Sequence, residues 1–160
     1  MRRCCLLLCL VAIAGAPGHA QSPSPASPLA ACPWLTQGGA AKALGGEVSV
    51  AVHVSDSGEG WCGFSRAQKP DGLLKIEVSK TALASCGAGG AMLKGVGNEA
   101  MRCALSASGG KNGEMISGRV RDLYFVITLE AGRNESPANA AGKQDDTFEQ
   151  IAEQVAGNLF

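Results

Sequence analysis

The stretch that decides the fold is Gly95–Glu130, which reads GVGNEAMRCALSASGGKNGEMISGRVRDLYFVITLE. Small or apolar residues occupy every second position in three consecutive runs, and turn-forming residues separate the first run from the second. The runs are Met101, Cys103 and Leu105, then Ile116, Gly118 and Val120, then Leu123, Phe125, Ile127 and Leu129. Alternation with a period of two indicates half-buried β-strands, so this stretch predicts strands rather than helices.

The apolar positions change from even to odd numbers between Val120 and Leu123. Because side chains alternate between the two faces of a strand, a continuous strand cannot change face in this way without a bulge or a turn. We interpret Arg121–Asp122 as a tight hairpin turn, and a bulged continuous strand is the alternative. The stretch then contains three antiparallel strands, at about 99–106, 114–120 and 123–130.

Three more strands are predicted upstream. Valine alternates with serine, alanine and histidine from Val48 to Val54, which is the clearest period of two in the chain. A short return strand follows at Trp61–Arg66, and a third alternating segment lies at 74–78. β-branched residues such as valine suit the pleated surface of a sheet.

One helix is predicted at each end of this strand-rich region. Thr36 has the N-cap position of a short alanine-rich helix, and Gly45 and Gly46 end it. Asp146 begins a capping-box pattern, after which apolar residues recur at helical spacing through about residue 157. The predicted class is therefore α+β, with an antiparallel sheet of about six strands and both helices packed on it.

The first residues predict export. Arg2 and Arg3 precede an apolar run, and Gly18-His19-Ala20 supplies small residues for cleavage, as in a secretory signal peptide. We therefore expect a signal peptide at 1–20, cleaved near Ala20, a Ser/Pro-rich tether at 21–31 and a single α+β domain at 32–160. Cleavage leaves 160 − 20 = 140 residues, with 14 − 2 = 12 basic and 14 acidic side chains. That balance gives no basic surface for nucleic acid, and no later apolar run reaches the length of a membrane span.

Four cysteines remain after cleavage: Cys32, Cys62, Cys86 and Cys103. In an exported domain they predict two disulfides, for which three connectivities are possible. Metal-ligand spacing is missing, so neither a metal nor another cofactor is predicted. Leu29-Ala30-Ala31-Cys32 matches a lipoprotein box by its letters, but the Pro-rich segment separates it from the signal. A structural role for Cys32 is our interpretation, and lipidation is the alternative.

The order of motifs resembles a group of small bacterial secreted proteins and lipoproteins of unknown function that have one PsbP-like α+β domain. The resemblance is carried by Cys32-Pro33 before the first helix, Trp61-Cys62 on a strand, Gly95–Ala100, the charged hairpin turn and the terminal helix. It implies that Cys32 pairs with Cys62. We predict Cys86–Cys103 as the second bridge, which would fasten the Gly-rich loop at 87–97 to the strand at 99–106. The group supplies no catalytic residues.

Few residues suggest chemistry. His53 is the one histidine after the signal, and we interpret it as a solvated residue of its strand. The segment Gly95–Ala100 fits a dinucleotide-binding pattern by its letters, but a strand rather than a helix is expected after it. We interpret Arg102, Arg119 and Arg121 as solvated charges on one outer sheet face, and an anion-binding site is the alternative.

We accordingly expect a non-catalytic protein of the periplasm or cell envelope that binds a small ligand or a partner protein. The alternatives are a small secreted hydrolase or redox enzyme that uses His53 or a free cysteine, and a purely structural envelope component. The expected binding surface is an apolar patch near the first predicted bridge, formed by Trp34, Leu35, Trp61 and Phe64. Its alternative is that both tryptophans belong to the core.

Overall fold

Seven strands and two helices form within residues 31–66, 72–87, 89–106, 112–130 and 141–160, which are the residues that the computed structural model describes. In chain order they are α1 (Gln37–Leu44), β1 (Val48–Val54), β2 (Gly60–Arg66), β3 (Leu73–Ser79), β4 (Ala91–Leu93), β5 (Glu99–Ser106), β6 (Asn112–Val120), β7 (Leu123–Glu130) and α2 (Ala141–Asn158). The predicted signal peptide at 1–20 and the predicted tether up to residue 30 lie outside the described residues.

All seven strands pair antiparallel in one sheet of order β1-β2-β3-β7-β6-β5-β4. The predicted α+β class is confirmed, and the sheet has one strand more than the six expected. The additional strand is β4, which has only three residues and lies in a glycine-rich segment that shows no alternation. Pairing of β3 with β7 joins the two halves of the sheet at its centre.

The hairpin between β6 and β7 confirms the interpretation of the phase change. Val120 pairs with Leu123, and the turn residue Arg121 has a φ of 56°, in the left-handed region. The apolar even positions of β6 therefore lie on the same sheet face as the apolar odd positions of β7. Asn98 supports this turn, because its Oδ1 accepts a hydrogen bond of 2.7 Å from the Arg121 backbone N–H.

One face of the sheet, here called the helix face, is covered by α1 and α2 and carries the main core. Phe148, Ile151 and Val155 of α2 are buried there against the central strands. The strand residues that complete this core are Cys62, Phe64, Leu74, Ile76, Val78, Ile116, Val120, Phe125, Ile127 and Leu129. At its C-terminal end α2 is held to the N-terminal segment, because Asn158 Nδ2 donates a hydrogen bond of 2.9 Å to the Trp34 carbonyl.

Both helices have ends that can be compared with the predictions. The predicted cap of α1 is confirmed, since Thr36 Oγ1 accepts a hydrogen bond from the Gly39 N–H and Gly45 follows in the left-handed conformation. The predicted start of α2 at Asp146 is wrong, because the helix begins at Ala141. Residues 141–145 contain no proline, and their alanine, lysine and glutamine are good helix formers, so the helix extends upstream despite Gly142.

The other face of the sheet, here called the open face, carries a smaller apolar cluster. Cys86, Met115 and Val126 are buried in it, and Leu83, Met101, Cys103 and Leu105 pack around them. This arrangement corrects the expected position of the arginines. Arg102 pairs with Ile116 and so lies on the helix face, where its guanidinium contacts Glu114 at 2.6 Å and Glu149 at 3.5 Å. The three arginines do not share one face, because 102 and 119 have opposite parity in paired strands and Arg121 lies in the turn.

Candidate functional site

Two disulfides fasten segments outside the sheet to its strands: one joins the N-terminal segment to β2, and the other joins the segment after β3 to β5. Cys32 is bonded to Cys62 and Cys86 to Cys103, which confirms the predicted pairing. The Cys32 sulfur is thus occupied, which agrees with the structural role that we interpreted for it and not with the lipidation alternative. None of these four cysteines carries a free thiol, which removes them as nucleophiles for the enzyme alternative.

The segment at 81–87 crosses the open face and is fastened to β6 and β5. The Cys86 N–H donates a hydrogen bond of 3.3 Å to Ser117 Oγ, and the Cys86–Cys103 bridge fixes the segment to β5. Because Ser117 is 8% exposed, this polar contact is buried beneath the segment. The segment therefore lies over part of the open face, where Leu83, Ala84 and Ser85 form one wall of a hollow.

Beside this wall lies a cavity of about 240 Å³, here called the sheet-face pocket. The side chains that decide its character are Leu83, Met92, Met101, Arg119 and Tyr124. The first three are apolar and flexible, and thioether side chains adapt to ligands of different shapes. The pocket thus has the composition usual for small-molecule sites, which are mostly apolar with a few polar groups at defined positions.

Arg119 and Glu99 form the polar side of the sheet-face pocket. Arg119 Nε lies 3.0 Å from Glu99 Oε1. The two atoms make an ion pair without hydrogen-bond geometry, and the buried Nε has no hydrogen-bond acceptor among the described residues. Both side chains are exposed enough to reach solvent, at 42% and 59%. A polar group of a ligand that enters the pocket would meet this pair at its rim.

A second hollow lies on the same face above β1, β2 and β3. It is lined by His53, Glu59, Trp61, Ser79 and Leu83, so Leu83 borders both hollows. The rings of His53 and Trp61 are stacked, with centroids 6.2 Å apart. Strand register explains why the two hollows adjoin, because one cross-strand row runs through both. That row is His53, Trp61, Glu77, Val126, Ser117, Met101 and Met92.

The predicted apolar patch is corrected by this geometry. Trp34, Leu35 and Phe64 are buried in the main core at 3%, 1% and 0% exposure, whereas Trp61 is 37% exposed on the open face. The four residues therefore do not form one surface. Trp61 and Phe64 have opposite parity in β2, so they lie on opposite faces of the sheet. Of the predicted set only Trp61 lines a hollow of the open face, and that hollow is the second one and not the sheet-face pocket.

The other sequence candidates also have clear positions. His53 is exposed on β1 beside Trp61. The glycine-rich segment at 95–98 leads into β5 at Glu99, so a strand follows it and not the helix that a dinucleotide site requires. Within the described residues no group of three or more His, Cys, Asp or Glu side chains has the arrangement of a metal site. No helix among these residues is both long enough and apolar enough to cross a membrane.

Glu59 fastens the turn between β1 and β2 to the end of β3, beside the second hollow. Its carboxylate accepts hydrogen bonds from the Lys80 backbone N–H at 2.8 Å, from Ser57 Oγ at 3.1 Å and from Ser79 Oγ at 3.4 Å. These bonds, that of the Lys80 N–H above all, favour the charged form and lower the pKa of Glu59.

We expect the contribution of Glu59 to stability to disappear in acid. A lowered folded-state pKa means that the contribution is complete above the unfolded-state pKa and is lost as the pH falls through the folded value. Glu59→Gln should therefore lower the free energy of unfolding at neutral pH and make no difference once the wild-type carboxyl is protonated. Urea unfolding at neutral pH and at an acidic pH at which Glu59 is protonated measures this. Glu47→Gln, at an exposed glutamate, is the control. An effect of Glu59→Gln that is equal at both pH values would contradict the role of its charge.

Comparison with known proteins gives a distant structural likeness. No protein-family model matches the chain, and a comparison with curated proteins found no significant match. A crystal structure of a protein from Bacteroides thetaiotaomicron VPI-5482 aligns with a TM-score of 0.39 and 12% identity, over 58% of this chain. The aligned part is 38% of that protein's own length, so this chain corresponds to well under half of it.

Proposed function

We propose that this protein is an exported, non-catalytic binding module of the periplasm or cell envelope, and that its ligand is a small amphipathic molecule held in the sheet-face pocket. The observation that carries the proposal is the pocket itself, with flexible apolar side chains at Leu83, Met92 and Met101 and an ion pair at its rim. Such a site suits a molecule with a short apolar body and one polar end.

Export is supported by the disulfides, by the sequence of residues 1–20 and by the resemblance described above. Both bridges join cysteines of the described domain, and structural disulfides persist in oxidising compartments. The signal-like sequence at 1–20 agrees with this compartment, as does the resemblance to secreted proteins with a PsbP-like domain. A periplasmic or extracellular location, with cleavage near Ala20, is part of the proposal.

Binding is favoured over structure alone by the exposure of Met92. Its side chain is 65% exposed at the edge of the pocket, although burial would be favourable for a side chain of this size. An apolar ligand in the pocket would cover it. Phe160 is similarly exposed at 63%, but its ring lies 5.3 Å from the Arg121 guanidinium, away from the pocket lining.

Octanoate and octanol are suitable probes, because they share an apolar chain and differ in the charge of the polar end. We expect saturable shifts of backbone amide NMR signals at the pocket residues near 83, 101 and 119. Met92→Asp should weaken binding about tenfold, which corresponds to roughly 1.4 kcal/mol. Phe160→Asp, the matched change at an equally exposed apolar residue, should leave the affinity unchanged. Stronger binding of octanoate would assign the polar end to Arg119.

The proposal fails if neither probe gives a saturable shift at these amides. It also fails if the two aspartate variants weaken binding equally, since the effect would then come from charge and not from position. Melting curves of both variants establish that each retains the native fold.

A further inference from the structure

The two edges of the sheet differ in a way that concerns association. At one edge β4 has only three residues and is followed by Lys94, and short edge strands with a nearby charge discourage further pairing. At the other edge β1 has seven residues, VSVAVHV, with no proline and no lysine, arginine, aspartate or glutamate. A strand of this kind is a template for another strand.

The hydrogen bonds near β1 show which of its backbone groups point outward. The Ser55 N–H donates to the Glu59 carbonyl, so the backbone N–H and C=O groups of residue 55 point toward β2. The direction of the backbone groups alternates along an antiparallel strand. The N–H and C=O groups of Ser49, Ala51 and His53 therefore also point toward β2, while those of the four valines point away from the sheet. Gln37 agrees, since its Nε2 donates to the outward Val48 carbonyl at 2.6 Å. No other strand of the described residues pairs with this edge.

The sequence of β1 is symmetric in a way that suits a second copy of itself. Its four valines lie one and three positions on either side of Ala51. A two-fold axis through Ala51 would place Val50 opposite Val52 of the second copy, with the outward N–H and C=O groups of both available to pair. Every valine would then face a valine on the helix face, and Ala51 would face Ala51. β1 contains no lysine, arginine, aspartate or glutamate whose charge would oppose this approach.

We infer that β1 is a homodimerisation edge, at which two copies of this chain join their sheets antiparallel about Ala51. Val50, Val52 and Val54 are only half-buried within one chain, and the contact would cover them further. This inference is independent of the sheet-face pocket, because β1 and the pocket lie at opposite ends of the sheet.

The first test is a charge exchange at the axis, followed by sedimentation velocity over a dilution series of the disulfide-bonded protein. Ala51 is exposed, so Ala51→Lys and Ala51→Glu are compatible with the monomer fold. The dimer dissociation constant of each variant alone should be at least about fivefold higher than that of the wild type, because like charges would lie directly opposite each other. An equimolar mixture of the two should recover the dimer. Ala104→Lys and Ala104→Glu, at an exposed alanine of β5, are the matched controls and should dimerise as the wild type does.

The second test reports on the edge itself. The Val50 and Val52 amides have outward N–H groups, so their hydrogen exchange should be fast in dilute protein and should slow as the concentration rises. The inference is overturned if the wild type remains monomeric up to about 1 mM, beyond the range of weak specific dimers. It is equally overturned if the mixed variants stay monomeric, or if a dimer forms while these two amides continue to exchange rapidly.

Discussion

Ile151→Asp is expected to unfold the domain or to release α2 from the sheet. Ile151 is 3% exposed on the inner side of α2, in the main core. The change removes about 2–3 kcal/mol of apolar burial. It also places a carboxylate where no partner can compensate its desolvation, which costs several kcal/mol more. Typical domains have only about 5–15 kcal/mol of stability in total, so little should remain.

Urea denaturation followed by circular dichroism measures this effect. Gln150→Asp is the matched control, because it introduces the same residue one position away on the exposed side of the helix. We expect the control to change the midpoint only slightly. A wild-type midpoint in Ile151→Asp would mean that α2 does not pack on the sheet through this residue.

Loss of the Cys32–Cys62 bridge is the second large effect that we expect. The bridged residues are 30 positions apart, and closing a loop of this length contributes roughly 3.5 kcal/mol in the chain-entropy model. Because Cys62 is fully buried, alanine is the better replacement at both positions, since a serine hydroxyl there would lack a partner. The double variant should unfold at a clearly lower denaturant concentration than the wild type.

The Cys86–Cys103 bridge provides an informative comparison. Its cysteines are 17 positions apart, for which the same model gives about 3 kcal/mol. Replacing both by alanine should loosen the segment that borders the sheet-face pocket and therefore weaken octanoate binding. The Cys32–Cys62 variant, under conditions in which it is folded, should retain that binding. If both variants lose stability and binding in equal proportion, the second bridge has no particular role at the pocket.

The strand pattern could be predicted from the sequence where side-chain periodicity was strong. The change of phase around Arg121–Asp122 required a turn or a bulge, and the antiparallel pairing of Ile116 with Ile127 shows that it is a turn. β4 was missed for the converse reason. Three residues flanked by glycines carry too little alternation to be distinguished from a loop, and pairing with β5 is what makes them a strand.

The predicted apolar patch was wrong, although one signal against it was available. Trp61 and Phe64 are separated by an odd number of positions, so a regular strand places them on opposite faces, and a single patch of both was excluded by the pattern itself. The sheet-face pocket had no such signal. It joins Leu83, Met101 and Arg119, which are far apart in the chain and meet only through strand register and a bridge.

The two bridges are consecutive along the chain, and this has a consequence for how they form. A polypeptide that enters an oxidising compartment N-terminus first would present Cys32, Cys62, Cys86 and Cys103 in that order. An oxidase that joins each emerging cysteine of this domain to an earlier cysteine that is still unpaired would make Cys32–Cys62 first and Cys86–Cys103 second, without a wrong intermediate. Maturation of the domain would then need an electron acceptor for its thiols but no enzyme to rearrange its disulfides.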